Sequence, residues 1–256
     1  MTPLPLEFLS RPLAHRGYHD VTRGRPENSR ASIRAALDAG YGVEIDVQLS
    51  QDGHAMVFHD YELDRLTPET GLVKIHRRAE LQRFPLLGGK EGIPDLETVL
   101  DLVAGRAPVL IEIKDQDGAM MHDVGPLENE VARIVQAYDG PVAVMSFNPH
   151  AMDVFAAAAP DIPRGLTTCA YQPDDWPELP DEVFKHLREV PHYDRVGASF
   201  VSHLVTDLDR PRIAELKRNG AKILCWTVTS AEQEAEARKV ADNITFEGYA
   251  AATPLP

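Results

Sequence analysis

YGVEIDVQLS at residues 41–50 and VLIEIKD at residues 109–115 are strand-like stretches that carry charge where a buried strand should carry none: Glu44 and Asp46 in the first, Glu112 and Lys114 in the second. Side chains along a strand alternate between faces, so residues two apart share one. Each charged pair therefore projects together, while Val43, Ile45 and Val47, like Ile111 and Ile113, form the apolar opposite face. In an antiparallel sheet with one wet face such alternation is ordinary. The rest of the chain argues against that reading, because short apolar runs alternate with helical patterns, as in parallel strands covered by helices. Inside such a sheet a carboxylate costs several kcal/mol unless it is paired, hydrogen-bonded or bound to metal, and chemistry is the stronger reason for its presence.

Working outward, 256 residues with 43% hydrophobic content can bury a sizeable core, and the length suits one α/β barrel or two small domains. No linker, low-complexity tract or 20–50-residue repeat divides the chain, so the expectation is one domain over residues 1–256. No apolar run approaches a membrane span, which excludes stable membrane insertion as an expectation. The opening MTPLPLEFLSRP lacks a basic segment followed by a long apolar one, so a cytoplasmic location is expected. Cys169 and Cys225 have no metal-type spacing and read as reduced, buried thiols. A formal charge of -14 argues against nucleic acid or an anionic membrane surface as a partner. An anionic substrate could bind so acidic a protein only where a cation cluster or a metal reverses the local field, which favours a bound divalent ion.

Candidate strands fall at residues 12–17, 41–50, 54–60, 109–115, 141–147, 164–168, 195–202, 222–228 and 243–247, with helical patterns at 30–39, 95–104, 126–138, 151–159, 211–219 and from Ser230 onward. Ser29 or Asn28 can cap the first of these helices. Nine strands exceed the eight of a closed barrel, so one is misread or lies outside the ring. The Gln51-Asp52-Gly53 crossover before the third is too short for a helix and is the weakest point of an ideal alternating reading, because parallel strands usually need a dozen or more residues between them. Residues 61–92 are irregular and read as an inserted excursion.

Reactive groups of a parallel barrel gather at the C-terminal strand ends. Here His15 and Arg16, Glu44 and Asp46, His59 and Asp60, and Glu112 and Lys114 all fall there on the predicted strands. Individually each has a bland reading: a structural histidine, a solvated arginine, a carboxylate capping a turn. Glu27 can be a first-turn carboxylate favoured by the helix dipole, with Asn28 a cap. Their conjunction at one rim is what points to a site.

The ordered series HRG (15–17), PENS (26–29), EIDVQLSQDG (44–53), FHD (58–60), IPDLETVL (93–100), EIK (112–114), SFNP (146–149) and CWTV (225–228) strongly resembles the glycerophosphodiester phosphodiesterase family. The resemblance covers most of the chain. It implies a TIM (β/α)8 barrel with a small insertion after strand three, and metal-dependent hydrolysis of a small glycerophosphodiester to sn-glycerol 3-phosphate and an alcohol. It further implies catalytic roles for His15 and His59, and one divalent ion, Mg2+ or Ca2+, on Glu44, Asp46 and Glu112. Arg16 and Lys114 would lie near phosphate, Glu27, Asn28 and Asp60 would support them, and Trp226 would touch substrate, core packing being its alternative. This chain departs from the family pattern at Thr229, where relatives often carry Asn, and at Thr245-Phe246, where they often carry Thr-Asp. Competing functions are phospholipase D-like hydrolysis of lysophospholipids or sphingomyelin, a metal-independent lyase, and a noncatalytic phosphodiester-binding barrel.

Overall fold

The computed structural model describes residues 1–116, 118–172 and 180–253. Its strands are β1 (Leu13–Ala14), β2 (Gly42–Leu49), β3 (Ala55–Val57), β4 (Val109–Ile113), β5 (Val142–Ser146), β6 (Arg164–Thr168), β7 (Phe200–Leu204), β8 (Lys222–Val228) and β9 (Asn243–Phe246). All but β3 are parallel and close into a ring in the order β1-β2-β4-β5-β6-β7-β8-β9, with β9 returning to β1. The helices are α1 (Glu7–Ser10), α2 (Arg30–Asp38), α3 (Arg78–Leu81), α4 (Leu96–Val103), α5 (Pro126–Gln136), α6 (Pro149–Ala158), α7 (Asp181–Arg188), α8 (Pro211–Arg218) and α9 (Ala231–Ala237). At least one helix lies between each pair of successive ring strands, two between β2 and β4, the arrangement of a TIM barrel.

The surplus strand is resolved by β3, which pairs antiparallel with β2 outside the ring, Val57 facing Val47 and Ala55 facing Leu49. Three turn residues permit a hairpin and nothing longer. His59 and Asp60 therefore follow a hairpin strand and do not close a barrel strand, contrary to the sequence reading. The excursion after it has a small core of its own, in which Leu63, Leu66, Leu81 and Leu86 pack on Met56 and Phe58. The seventh strand begins five residues later than expected. Residues 195–199 instead form the approach to it, with Gly197 at φ +63° beside the Arg164 guanidinium.

The alternation in β2 and β4 is that of a barrel wall. Val43, Ile45, Val47, Val109, Ile111 and Ile113 point outward into the layer shared with Ile33, Val99 and Val131 of the helices. Inward positions divide by height. At the N-terminal end Leu13, Leu110, Ala143, Phe200 and Leu224 fill the lumen, and Leu4 and Phe8 plug it from below. Asn243 fastens that plug by donating to the carbonyls of Phe8 and Arg11 at 2.7 and 2.6 Å. Two residues further along the strands the inward positions turn ionic, with Glu112 above Leu110. Burial of an aromatic such as Phe200 contributes roughly 1.5–3 kcal/mol, so the apolar floor stabilises the ring whose upper end is costly.

Gly165 on β6 makes room for that floor, because a Cβ there would lie 2.4 Å from the Phe200 ring. We expect Gly165→Val to lower unfolding stability by about 1–3 kcal/mol through overpacking, read as a lower urea midpoint; an unchanged midpoint would show that the lumen has slack at this level.

Candidate active site

The ionic upper half of the lumen opens into a cavity of about 860 Å³ lined by His15, Arg16, Glu44, Asp46, His59, Glu112, Lys114 and Trp226, among others. Strand register brings the carboxylates together: Glu44 and Asp46 share the inner face of β2, and Asp46 stands opposite Glu112 on β4. One oxygen from each lies within 4.8 Å of the others, and all three residues are buried.

The first loop supplies the cation facing them. Gly17 sits at φ +79°, where any Cβ would press to 2.5 Å from Ser32 Oγ, so the chain turns tightly against the start of α2. Ser29 caps that helix by accepting the Ser32 N–H at 3.0 Å, and Ser32 Oγ donates to the Arg16 carbonyl. Arg16 is held by these contacts at φ +53°, and Asn28 at φ +55°, left-handed conformations that cost non-glycine residues energy. What they gain is position. The Arg16 N–H donates to Glu44 at 3.2 Å, its Nε lies 3.4 Å from Asp46, and Asn28 Nδ2 donates to Asp46 at 2.9 Å. From β4, Lys114 Nζ donates to Glu112 at 2.7 Å and stands 3.4 Å from Asp46.

The charges divide unequally. Burial opposes ionisation of Asp46, but Lys114, His59, Arg16 and His15 outweigh it and hold the carboxyl well below its usual value. Glu44 is driven the other way, by burial and then by the neighbouring Asp46 and Glu112 charges. Lys114, though buried, is raised by Glu112 and Asp46 and remains an ammonium. Three carboxylates against two cations leave Glu44 short of positive charge, and an all-oxygen donor set of this kind suits a hard divalent ion.

Both histidines reach the cavity, each with one ring nitrogen held by a carboxylate. His59 Nδ1 lies 2.7 Å from Asp60, and His15 Nδ1 lies 2.6 Å from Glu247 just past β9. An ionised carboxylate accepts the Nδ1 proton, which leaves Nε2 of each ring as the nitrogen free for proton transfer. His15 Nε2 lies 4.0 Å from Glu44. Its pKa is lowered chiefly by burial, against the opposing bond to Glu247. Glu27 reaches Arg16 at 2.7 Å and Arg65 at 2.8 Å, and Arg65 also grips Asp60 through two bonds of 2.6 and 2.9 Å. Trp226 lies across the cavity, its Nε1 donating to the Ser202 carbonyl at 3.1 Å and its ring edge-on to Phe147 at 5.6 Å.

All eleven residues singled out from the sequence thus fall on one constellation. Reading the sequence missed two members. Glu247 carried a signal, since it lies two residues past Thr245 and so on the same inner face; Arg65 carried none, being in the irregular excursion. The link that Arg65 makes has a pH signature. Burial raises Asp60 and Glu27, but the bonds from His59 and Arg65 to Asp60, and from Arg65 and Arg16 to Glu27, win and lower both. Lowered folded pKa values mean stability that is present above the unfolded values of about 3.9 and 4.3 and lost as pH falls through the folded ones. Arg65→Met should therefore show a smaller loss of urea midpoint than the wild type on acidification below pH ~4; parallel curves for the two proteins would remove the link.

Comparison with known proteins places this geometry. The model of the Glycerophosphoryl diester phosphodiesterase family matches residues 15–243. A glycerophosphodiester phosphodiesterase from Caldanaerobacter subterraneus subsp. tengcongensis is 28% identical over 229 residues, 86% of each chain. Among solved structures, a phosphodiesterase from Oleispira antarctica in complex with the product sn-glycerol-3-phosphate superposes with a TM-score of 0.76 over 94% of both chains at 24% identity. A glycerophosphodiester phosphodiesterase from Agrobacterium tumefaciens gives 0.67 over 96% of both at 26% identity.

Proposed function

The chain belongs to the glycerophosphoryl diester phosphodiesterase family, and from that premise we propose that it hydrolyses glycerophosphodiesters to sn-glycerol 3-phosphate and an alcohol with a divalent ion and two histidines. The observation that carries the reading is the meeting of three buried carboxylates, two cations and two carboxylate-held imidazoles at the mouth of one cavity. The product bound in the Oleispira relative supports the same substrate class. A cavity of about 860 Å³ is ample for a small phosphodiester.

Glu44, Asp46 and Glu112 fit the ion, whose contribution when bound is to polarise the phosphoryl group and offset its anionic charge. Mg2+ and Ca2+ are the ions that suit this oxygen set. Arg16 and Lys114 orient the nonbridging oxygens and stabilise the charge that grows on them. One imidazole takes the proton of the attacking hydroxyl, water or the substrate's own glycerol, and the other delivers a proton to the departing alkoxide. Asp60 and Glu247 keep Nδ1 of each ring protonated and so keep Nε2 available. In this scheme Glu247 is a positioning residue acting through His15.

A second reading keeps the site and the departing alcohol but adds an acyl chain to the substrate's glycerol. Met120, Met145, Phe147, Leu204 and Trp226 form an apolar wall facing the charged one, which would also accept part of a lysophospholipid. Product analysis on glycerophosphocholine against lysophosphatidylcholine separates the two: preferential choline release from the lyso-lipid would favour the second.

The central test is metal dependence. EDTA should abolish product formation and added Mg2+ or Ca2+ restore it, and full turnover in EDTA would overturn the carboxylate assignment. With metal present, His59→Ala should lower kcat by about 10²–10⁴-fold; near-normal turnover would remove His59 from the mechanism. For Glu247→Gln we expect kcat to fall by about tenfold or more with little change in KM, because the ring loses its ionised partner while phosphate contacts remain. Recovery in Glu247→Asp would support positioning, and an unchanged kcat in the Gln variant would deny it.

A further inference from the structure

Four of the ten histidines form one chain of rings outside the lumen. His122 stacks on His150 with centroids 3.9 Å apart, His150 lies 6.2 Å from His192, and His192 lies 4.9 Å from His186. The last two present Nε2 to Nε2 at 3.1 Å. They come from separate segments: the loop before α5, the first turn of α6, the last turn of α7, and the turn after it. No part of the proposed phosphodiesterase chemistry uses them.

The placement is braced on every side. Asn148 caps α6 and donates to Asp115 and to the Met121 carbonyl at 2.7 and 2.9 Å, pressing the loop that bears His122 against His150. Arg188 bonds the Tyr171 carbonyl at 2.7 Å, and Arg212 bonds the carbonyls of Glu189 and Val190 at 2.7 and 3.3 Å, which fixes the chain on either side of His186 and His192. Two ligands bound at about 2.0–2.1 Å from one ion are separated by roughly 2.9 Å at a right angle and roughly 3.4 Å at the tetrahedral angle. The 3.1 Å between the two Nε2 atoms falls between these.

We propose that His186 and His192 form a second metal site, selective for a borderline transition-metal ion such as Zn2+. Its donors are imidazole nitrogens, which suit Zn2+, Ni2+ or Cu2+ and suit Mg2+ or Ca2+ poorly. Where the two rings share a proton, a metal takes its place: the donating ring shifts that proton to Nδ1, both Nε2 lone pairs face the ion, and none is released to solvent. An ion there would clip the last turn of α7 to the turn after it, stabilising the β6–β7 side of the barrel in proportion to occupancy.

The test is zinc uptake by the chelator-stripped full chain, with excess Mg2+ kept over the luminal carboxylates. Calorimetry should find a site tighter than about 10 µM, and zinc should raise Tm by several degrees. Both effects should weaken strongly in H186Q, whose side chain is exposed, and vanish in H186Q/H192Q, while Tm without zinc stays at the wild-type value. Failure of the wild type to bind zinc in Mg2+ would overturn the proposal. So would uptake and a Tm rise that persist in the double variant, since zinc would then sit elsewhere, as on His15, His19 and Glu247. None of these readouts depends on the enzymatic activity.

Discussion

Three carboxylates confined within 4.8 Å of one another inside a barrel are the constraint to which the rest of the molecule answers. Two like charges 4 Å apart repel by about 4 kcal/mol at an effective dielectric near 20, so the cluster is tolerable only with Lys114 and Arg16 set against it. Local structure that would otherwise be expensive is explained by it. Arg16 and Asn28 adopt left-handed backbone because only from there do they reach Glu44 and Asp46. Lys114 is buried and still charged because Glu112 and Asp46 flank it. The imbalance left on Glu44 is the feature that gives a divalent ion a reason to bind.

The same constraint shapes the barrel from end to end. An ionic upper lumen is tolerable only over a floor that is dry and well filled, and α1, Phe200 and the missing side chain of Gly165 supply one. Histidines enter from opposite directions: His15 at the first strand is secured by Glu247 at the last, 232 residues away, and His59 is secured by its neighbour Asp60. Closure of the ring therefore assembles this pair, because β1 pairs with β9 and that pairing brings Glu247 to His15.

How much of this was legible follows from the distance over which each signal acts. Period-two alternation in β2 and β4 is local, and it revealed the carboxylates together with the face they share. The cap at Ser29 and the brevity of the Gln51–Gly53 turn are local as well, and the turn correctly cast doubt on a ninth ring strand. Pairing direction is not a local signal, so His59 reads as closing a barrel strand although it follows a hairpin. Glu247 was included in the last predicted strand without a role, since its partner is fixed only by ring closure. Arg65 lies in a stretch with no periodicity, and its two carboxylates come from separate loops. The convergence of His122, His150, His186 and His192 depends on packing among three helices and their connections, which no spacing in the sequence encodes.

The two walls of the cavity explain why the scissile group is easier to identify than the alcohol attached to it. Phosphate recognition requires charge at defined points, and charge buried among apolar strands stands out in sequence as much as in structure. In the proposed reaction the leaving group would meet Met120, Met145, Phe147, Leu204 and Trp226 of the cavity lining, residue types that any barrel core contains. Apolar contact is nondirectional and discriminates one methylene by only about 1–3 kcal/mol, so such a wall admits a family of alcohols. Selectivity among them must then come from what borders the wall at the rim, where Tyr61, Glu62 and Asp64 supply polar and anionic groups. An alcohol that is cationic, or that offers a hydrogen-bond donor to those carboxylates, is favoured over one that is anionic, because the acidic rim adds repulsion to the last and attraction to the first.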